Sequence, residues 1–132
     1  MNKAQFSVDL LMVIGIMLLL FLALFQFYLS KSQDVRLVSE KLKGKEIADS
    51  VSEKVNLALL GGNGTEIKYN LPGNILDKDY DVSISGRRVE VGMQGFVVSS
   101  PILTSNIETP DLNSKKGQEM VFVNLDGKII VK

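Results

Sequence analysis

Residues 3–29 read KAQFSVDLLMVIGIMLLLFLALFQFYL. Between Leu10 and Leu29 only Gln26 is clearly polar. Twenty residues in a helix rise about 30 Å, which is the thickness of the hydrocarbon core of a bilayer. Because the run is apolar on every side, we expect a helix surrounded by lipid or by other helices, not one that lies against a protein core.

The overall composition excludes several classes of function. The chain has 132 residues with 15 basic and 15 acidic side chains, so its formal net charge is zero. A nucleic-acid-binding domain would carry a strongly basic segment, and the sequence has none. The absence of Cys and His removes disulfides, thiolate chemistry and the commonest general base and metal ligand. With no phosphate-binding loop or nucleophile motif either, we expect no enzyme activity, no cofactor and no nucleic-acid partner.

The apolar run has three interpretations. A cleaved secretory signal has an apolar core of roughly 7–15 residues followed by a small-residue cleavage site, whereas this run is longer and closes with Phe27 and Tyr28. A plain single-pass anchor fits its length. In the third interpretation a short leader is cut off in front of the run, so that the run stays on the mature protein.

The residues in front of the run resemble a known leader. Lys3-Ala4, followed by Gln5 and by Asp9 as the fifth residue counted from Gln5, is similar to the class III signal peptide of archaeal type IV pilin-like proteins. That family more often has Gly where this chain has Ala4 and Glu where it has Asp9. Leu71-Pro72 and the strand-like pattern of the C-terminal part also resemble small archaeal pilin-like subunits, more loosely.

The resemblance implies how the chain would be processed, inserted into the membrane and assembled. The prepilin peptidase, a membrane aspartyl protease, would cut between Ala4 and Gln5. The single-pass helix would lie in the membrane lipid with its N-terminus inside, and would then join copies of itself or other pilins in an adhesive cell-surface filament. The fold would be the type IV pilin lollipop. The alternative is a solitary membrane-anchored extracellular β-domain, such as an adhesin or an accessory component of an archaellum or pilus.

Asp9 is the candidate assembly residue. A carboxylate at the edge of hydrocarbon is costly unless it is paired, and such residues are usually functional. Cleavage before Gln5 would create an α-amino cation four residues away, or on a neighbouring subunit. The alternative is that Asp9 lies among the headgroups as an acidic residue near the start of a helix, where it suits the helix dipole.

Beyond the apolar run the helical pattern continues to about Leu60, and its apolar face changes near Gly44. The second half carries one apolar stripe at steps of three and four, consisting of Gly44, Ala48, Val51, Val55, Ala58 and Leu59. The first half carries another on nearly the opposite side, consisting of Val35, Val38 and Leu42. The pattern predicts either two partners, the chain's own sheet and other subunits, or a helix that bends at Gly44.

The segment Gly61-Gly62-Asn63-Gly64 ends the helix with residues that tolerate left-handed backbone geometry. We therefore divide the chain into a leader (1–4), a long helix (5–60, apolar over about 10–29) and a small β-domain (61–132). Asn63-Gly64-Thr65 is an N-glycosylation sequon, so Asn63 is a candidate glycosylation site.

After residue 64 the apolar residues alternate with period two, which predicts about six short antiparallel strands and an α+β fold. Phe96 to Leu103 is a candidate strand, and Pro101 places it at an edge. Residues 104–117 are expected to form a polar loop. Asp126-Gly127 predicts a tight hairpin turn near the C-terminus. One face of such a sheet would be covered by the second stripe of the helix.

Two charged groups have simple interpretations. Lys41, Lys43 and Lys45 fit a solvated helix face better than a basic binding patch. Alternate aspartates at positions 77, 79 and 81 suggest a calcium loop. That pattern needs Gly at its sixth place and Glu at its twelfth, where this chain has Val82 and Arg88. We therefore expect strand-edge acids and no metal site.

Overall fold

The computed structural model describes residues 3–109 and 111–132, with side chains from Ser7 onward. A single helix, α1, spans Lys3–Leu60. The chain divides into two compact units, one ending at Val38 and the other comprising Ser39–Lys132. The C-terminal part of α1 therefore belongs to the same unit as the strands.

The N-terminal part of α1 is exposed from Ser7 to Leu29. The large apolar side chains between Val8 and Leu29 are 47–69 % exposed. Among the described residues, α1 is the one helix long and apolar enough to cross a membrane. An apolar surface on all sides of a helix needs lipid or other helices around it.

The C-terminal part of α1 is amphipathic and supplies one wall of a core. The predicted second stripe is buried, with Ala48, Val51, Val55 and Ala58 fully enclosed. Gly44 lies where a Cβ atom would be only 3.2 Å from Cγ2 of Val98. Helix and sheet approach closely at this position because glycine has no side chain.

Within the described residues, seven strands follow the helix, with one 3₁₀ helix among them. The strands are β1 (Glu66–Asn70), β2 (Asp81–Ser85), β3 (Arg88–Met93), β4 (Phe96–Pro101), β5 (Ile107–Glu108), β6 (Glu119–Leu125) and β7 (Lys128–Val131), and the 3₁₀ helix is Leu112–Lys115. They form a four-stranded sheet in the order β1-β6-β7-β5 and a three-stranded sheet in the order β2-β3-β4. All pairs are antiparallel except β5 and β7, which are parallel.

Alternation along the strands builds the core. On β3, Val89, Val91 and Met93 are buried while Arg88 is exposed, as expected when successive side chains point to opposite faces. The largest fully enclosed side chains come from the four-stranded sheet, from the residue after β1 and from the loop before β2, and are Phe122, Met120, Ile129, Leu71 and Tyr80. Together with the buried stripe of α1 they form one apolar cluster.

The predicted α+β class, a long N-terminal helix followed by a small β-domain, is confirmed. The helix ends at Leu60, and the next backbone N–H groups, of Gly61 and Gly62, donate to the carbonyls of Leu57 and Leu59. The C-terminal hairpin is also confirmed, with Asp126 and Gly127 both in the left-handed region that a tight hairpin turn requires.

Three details of the β-domain differ from the prediction. The strands form two sheets instead of one, and one pair of strands is parallel. The predicted loop 104–117 contains β5 and the 3₁₀ helix, in which Leu112 is buried. A two-residue strand and a single apolar side chain have no period, so the sequence pattern could not reveal either element.

Candidate functional site

The apolar helix surface is the most prominent feature of the chain, and Asp9 lies within it. The Asp9 side chain is exposed. Within residues 7–109 and 111–132, no cationic side chain lies within 4 Å of its carboxylate. Asp9 therefore has no ion-pair partner in this part of its own chain, and pairing would need a group from outside it. The predicted processing site, Ala4-Gln5, lies where only the backbone is described.

Aromatic and basic residues mark the C-terminal end of the apolar run. The Lys31 ammonium group lies 5.8 Å from the centroid of the Phe27 ring, and Tyr28 is exposed beside it. Aromatic rings and a lysine with a long apolar stem are typical of the boundary between hydrocarbon and water. About 19 residues separate Asp9 from Tyr28, which is close to the number needed to cross the hydrocarbon core.

An ion pair between the buried Glu40 and the half-exposed Lys78 holds the first turns of the second unit. The Glu40 side chain is only 9 % exposed and accepts a 2.6 Å hydrogen bond from Nζ of Lys78. One residue further on, Lys41 lies 5.7 Å from the centroid of the Phe96 ring. A buried carboxylate without its partner would be strongly unfavourable, so this pair fixes the helix against the turn that contains Lys78.

The two predicted stripes of α1 have different surroundings. The second stripe packs on the chain's own sheets, as predicted. The first stripe is uncovered, since Val35, Val38 and Leu42 are 67 %, 56 % and 65 % exposed. An exposed apolar stripe opposite a buried one leaves a surface available for a second contact.

A polar stripe of α1 covers the outer edge of β4. Nζ of Lys45 donates to the carbonyl of Ser99 at 2.9 Å, and the Ser52 hydroxyl donates to the carbonyl of Pro101. Further along, the Asn56 side-chain oxygen accepts a 2.9 Å hydrogen bond from the Leu103 N–H. These contacts satisfy backbone groups of an edge strand that would otherwise be open to pairing with another chain. Lys45 is therefore more than part of a solvated face.

Asp49 completes this stripe. Its carboxylate accepts hydrogen bonds from Nζ of Lys45 at 2.8 Å and from the Ser100 hydroxyl at 2.6 Å. These two bonds, with that from Lys45 the stronger influence, hold the pKa of the Asp49 carboxyl below its usual value. The spacing of Lys45, Asp49, Ser52 and Asn56, at steps of four, three and four, is the signal in the sequence that could have identified this face.

Asn124 closes the last turn of α1 from a strand. The residue is 2 % exposed, and its side-chain amide donates to the carbonyls of Ala58 and Leu59 at 3.1 and 3.2 Å. Its side-chain oxygen accepts a bond from the Gly127 N–H at 2.9 Å. One buried side chain thus satisfies two carbonyls near the helix end and supports the hairpin turn.

The candidate glycosylation site, Asn63, is exposed on the loop after α1. Its amide nitrogen donates to the Asp126 carboxylate at 2.8 Å, and its oxygen accepts from the Asp126 N–H at 3.1 Å. Attachment of a glycan to this nitrogen would need the bond to the carboxylate to open. Asn63 is accessible, and it also holds two loops together.

The aspartates at 77, 79 and 81 do not form a shared site. Asp79 accepts a 2.7 Å hydrogen bond from Nζ of Lys116, which also lies 5.0 Å from the centroid of the Tyr80 ring. The bond from Lys116 lowers the pKa of the Asp79 carboxyl. Within the described part of the chain, no three acidic side chains are grouped so that they could hold a metal ion.

Tyr80 is a structural anchor. The Tyr80 hydroxyl donates to the carbonyl of Pro72, and burial raises the pKa of its phenol well above the usual value. The ring is enclosed in the core. Lys116 and Tyr80 together tie the loop before β2 to the segment that follows the 3₁₀ helix.

Comparisons with protein-family models, with curated proteins and with solved structures return no match. The function is therefore argued from the two surfaces of α1 and from the residues around Asp9.

Proposed function

We propose that this chain is a pilin or minor pilin-like subunit of an archaeal type IV pilus-like filament that serves adhesion. The prepilin peptidase removes residues 1–4, and the helix that starts at Gln5 rests in the membrane with its N-terminus inside. The helix then moves into a filament, where copies of this chain or other pilins surround it. The Ser39–Lys132 unit is displayed on the cell surface.

The observation that carries the proposal is the complete exposure of the apolar part of α1. Every residue from Ser7 to Leu29 is exposed among the described residues, whereas the strand-bearing unit has an enclosed core of its own. Removing apolar surface from water is worth roughly 25 cal/mol per Å². A bundle of such helices buries this surface as well as lipid does, so transfer from membrane to filament is physically reasonable.

Asp9 gives the bundle a preferred register. A carboxylate within an apolar bundle is favourable only where it meets a cation or several hydrogen-bond donors. The α-amino group created at Gln5 by cleavage would be the nearest cation of this kind on a neighbouring subunit. Axial positions that leave Asp9 unpaired are then disfavoured.

The mass of the mature N-terminus tests the processing step. Protein extracted from the membranes of cells that produce it should begin at Gln5. An Ala4→Leu variant, which removes the small residue before the cut, should retain the leader. A mature wild-type chain that keeps residues 1–4 would contradict the proposal.

Replacing Asp9 with Ala tests the assembly step. We expect Asp9→Ala protein to reach the membrane in normal amounts, because the change makes the helix more apolar, while filaments become rare or absent. Electron microscopy of sheared filaments and blotting of membrane fractions measure the two quantities. Ser7→Ala is the matched control and should form normal filaments. Normal filaments from Asp9→Ala would remove the role assigned to Asp9.

A second candidate is a solitary membrane-anchored β-domain. The observation in its favour is that the strand-bearing unit fills its own core and that aromatic and basic residues follow the apolar run. This candidate predicts an uncut leader and a protein that remains in the membrane without forming filaments, so the two measurements above separate it from the first.

A further inference from the structure

Each of the two compact units carries an exposed segment of α1, and the two segments have the same form and opposite charge. The first, the basic patch, consists of Lys31, Val35 and Val38. The second, the acidic patch, consists of Glu53, Leu57 and Leu60. In each, a charged residue is followed after four residues by one apolar residue and after seven by another. Each patch therefore lies on one face of the helix, and each residue of the first corresponds to one of the second 22 positions later.

Both patches are open to solvent. The apolar side chains of the basic patch, Val35 and Val38, are 67 % and 56 % exposed. Those of the acidic patch, Leu57 and Leu60, are 43 % and 72 % exposed. Large aliphatic side chains that stand in pairs on a helix beside a charge are a common form of helix–helix contact surface.

The charges of the two patches are also only weakly engaged within the chain. Glu53 lies 3.8 Å from Nζ of Lys54, whereas the other ion pairs of the described residues measure 2.5–2.9 Å. Lys31 contacts the face of the Phe27 ring. Both groups can therefore turn to a partner without breaking a close ion pair.

We propose that the basic patch of one copy binds the acidic patch of a second copy, with the two helices parallel and offset by 22 residues. Lys31 then meets Glu53, and Val35 and Val38 meet Leu57 and Leu60. This contact rests on the proposed function, which it deepens by naming the surface through which neighbouring subunits recognise each other outside the apolar bundle.

The charges select this arrangement from the alternatives. Parallel helices without an offset would place Lys31 against Lys31 and Glu53 against Glu53. Antiparallel helices would place Lys31 against Leu60 and Glu53 against Val38. Only the parallel arrangement with the offset pairs opposite charges and apolar side chains together.

The contact also has the symmetry that a filament needs. It joins two different patches, so each copy keeps one patch of each kind available for a further copy. A heterologous contact of this sort generates an open helical assembly unless its rotation closes a ring. The same pair of patches therefore explains growth as well as recognition.

Cysteine cross-linking tests the geometry, because the chain has no native Cys. Two differently tagged chains, one with Val38→Cys and one with Leu60→Cys, are produced together, and sheared filaments are treated with a short bis-maleimide. We expect mixed dimers that carry both tags. Leu76→Cys, at a residue 51 % exposed and outside both patches, replaces Leu60→Cys as the control and should give few mixed dimers.

Charge reversal tests the recognition. Lys31→Glu and Glu53→Lys should each lower filament yield, by roughly threefold, because an exposed ion pair is a small contribution that is lost at every contact. The two changes in one chain should restore the yield. Arg88→Glu, which reverses an exposed charge on β3, should have no effect.

The outcomes separate this inference from the proposed function. Wild-type filaments that give no Val38–Leu60 link, or a double charge reversal that restores nothing, overturn the contact and leave the filament proposal intact. Mixed dimers in membranes from cells without filaments would overturn the offset and contradict the filament, because two copies that both span the bilayer cannot be displaced by 22 residues, about 33 Å. Absence of filaments and of mixed dimers overturns both proposals.

Discussion

The two halves of α1 share one helical backbone but differ in how much of their apolar surface is exposed to solvent. From Ser7 to Leu29 every side chain is exposed, although nearly all are apolar. From Ser39 to Leu60 the residues alternate between a buried stripe and a polar stripe that bonds to β4. The N-terminal half needs lipid or other helices around it, whereas the apolar stripe of the C-terminal half is covered by the strands of the same chain.

This contrast shows why the two halves should respond differently to the same substitution. A charge placed in the buried stripe enters a closed core, where it has no water and no partner. A charge placed in the apolar run meets solvent in the isolated chain and hydrocarbon only in a membrane or a bundle. Stability of the strand-bearing unit and retention in the membrane are therefore separate readouts.

The largest effect is expected for Val51→Asp. Val51 is fully buried, so the variant should lose about 4 kcal/mol of unfolding free energy, a large share of the stability of a small domain. Urea denaturation of detergent-solubilised protein, followed by circular dichroism, measures the loss. Val97→Asp, at a side chain 67 % exposed, should leave the midpoint nearly unchanged. A stable Val51→Asp variant would contradict the packing of α1 on the sheets.

The reverse pattern is expected for Leu18→Asp, in the middle of the apolar run. The change should weaken transfer into the membrane by about 3–4 kcal/mol and should leave the stability of the strand-bearing unit as it was. Extraction of membranes with increasing urea, followed by blotting, measures the first quantity. Leu37→Asp, outside the apolar run, should extract like wild type. A lower unfolding midpoint for Leu18→Asp would show that the run packs on the domain.

A smaller difference in unfolding free energy is expected between substitutions at two glycines of α1. A Cβ atom at Gly44 would approach Val98, whereas one at Gly15 would meet nothing within 4 Å. Gly44→Leu should therefore cost about 1–3 kcal/mol of unfolding free energy through overpacking. Gly15→Leu should leave the unfolding midpoint unchanged and make the run more apolar. Equal midpoints for the two variants would show that the helix does not approach the sheet closely at Gly44.

The smallest effect concerns pH. Folding lowers the pKa of the Asp49 carboxyl below its unfolded value of 3.8, because the folded chain favours the carboxylate. The resulting contribution to the free energy of unfolding is fully present above pH 3.8 and is lost as the pH falls through the lower pKa of the folded chain. Because this group is half exposed, the loss should be under about 1 kcal/mol. Urea midpoints of wild type and Asp49→Asn should therefore converge as the pH is lowered through this range. Ser83→Ala, at an exposed residue without an ionisable group, should keep the wild-type slope.

Much of the architecture could be predicted because it depends on local patterns. The all-round apolar run, the glycine-rich helix end and the Asp126-Gly127 turn each follow from residues that are neighbours in sequence. Burial of the stripe that contains Val51 also follows, since helical periodicity shows which side faces a core. The position of Pro101 at an edge follows from its missing N–H.

The remaining features depend on partners that are distant in sequence. Glu40 pairs with Lys78, and Asn124 bonds to carbonyls of α1 more than 60 residues away. The parallel pairing of β5 with β7 joins two short segments that carry no pattern. None of these contacts has a local signature, so the sequence predicted a solvated lysine face and a single sheet.

For the candidate site, the sequence by itself determined that α1 begins as an all-round apolar helix with an acid at its mouth, because hydrophobicity and its period are properties of the local chain. It also indicated that the first apolar stripe, which includes Val35 and Val38, lies nearly opposite the core-facing second stripe. Only the tertiary structure decided which polar side chains hold the helix against the strands. The side chains of Lys45, Ser52 and Asn56 bond to backbone groups of β4 and of Leu103, and these partners are 47–54 residues away in sequence, so no local pattern identifies them.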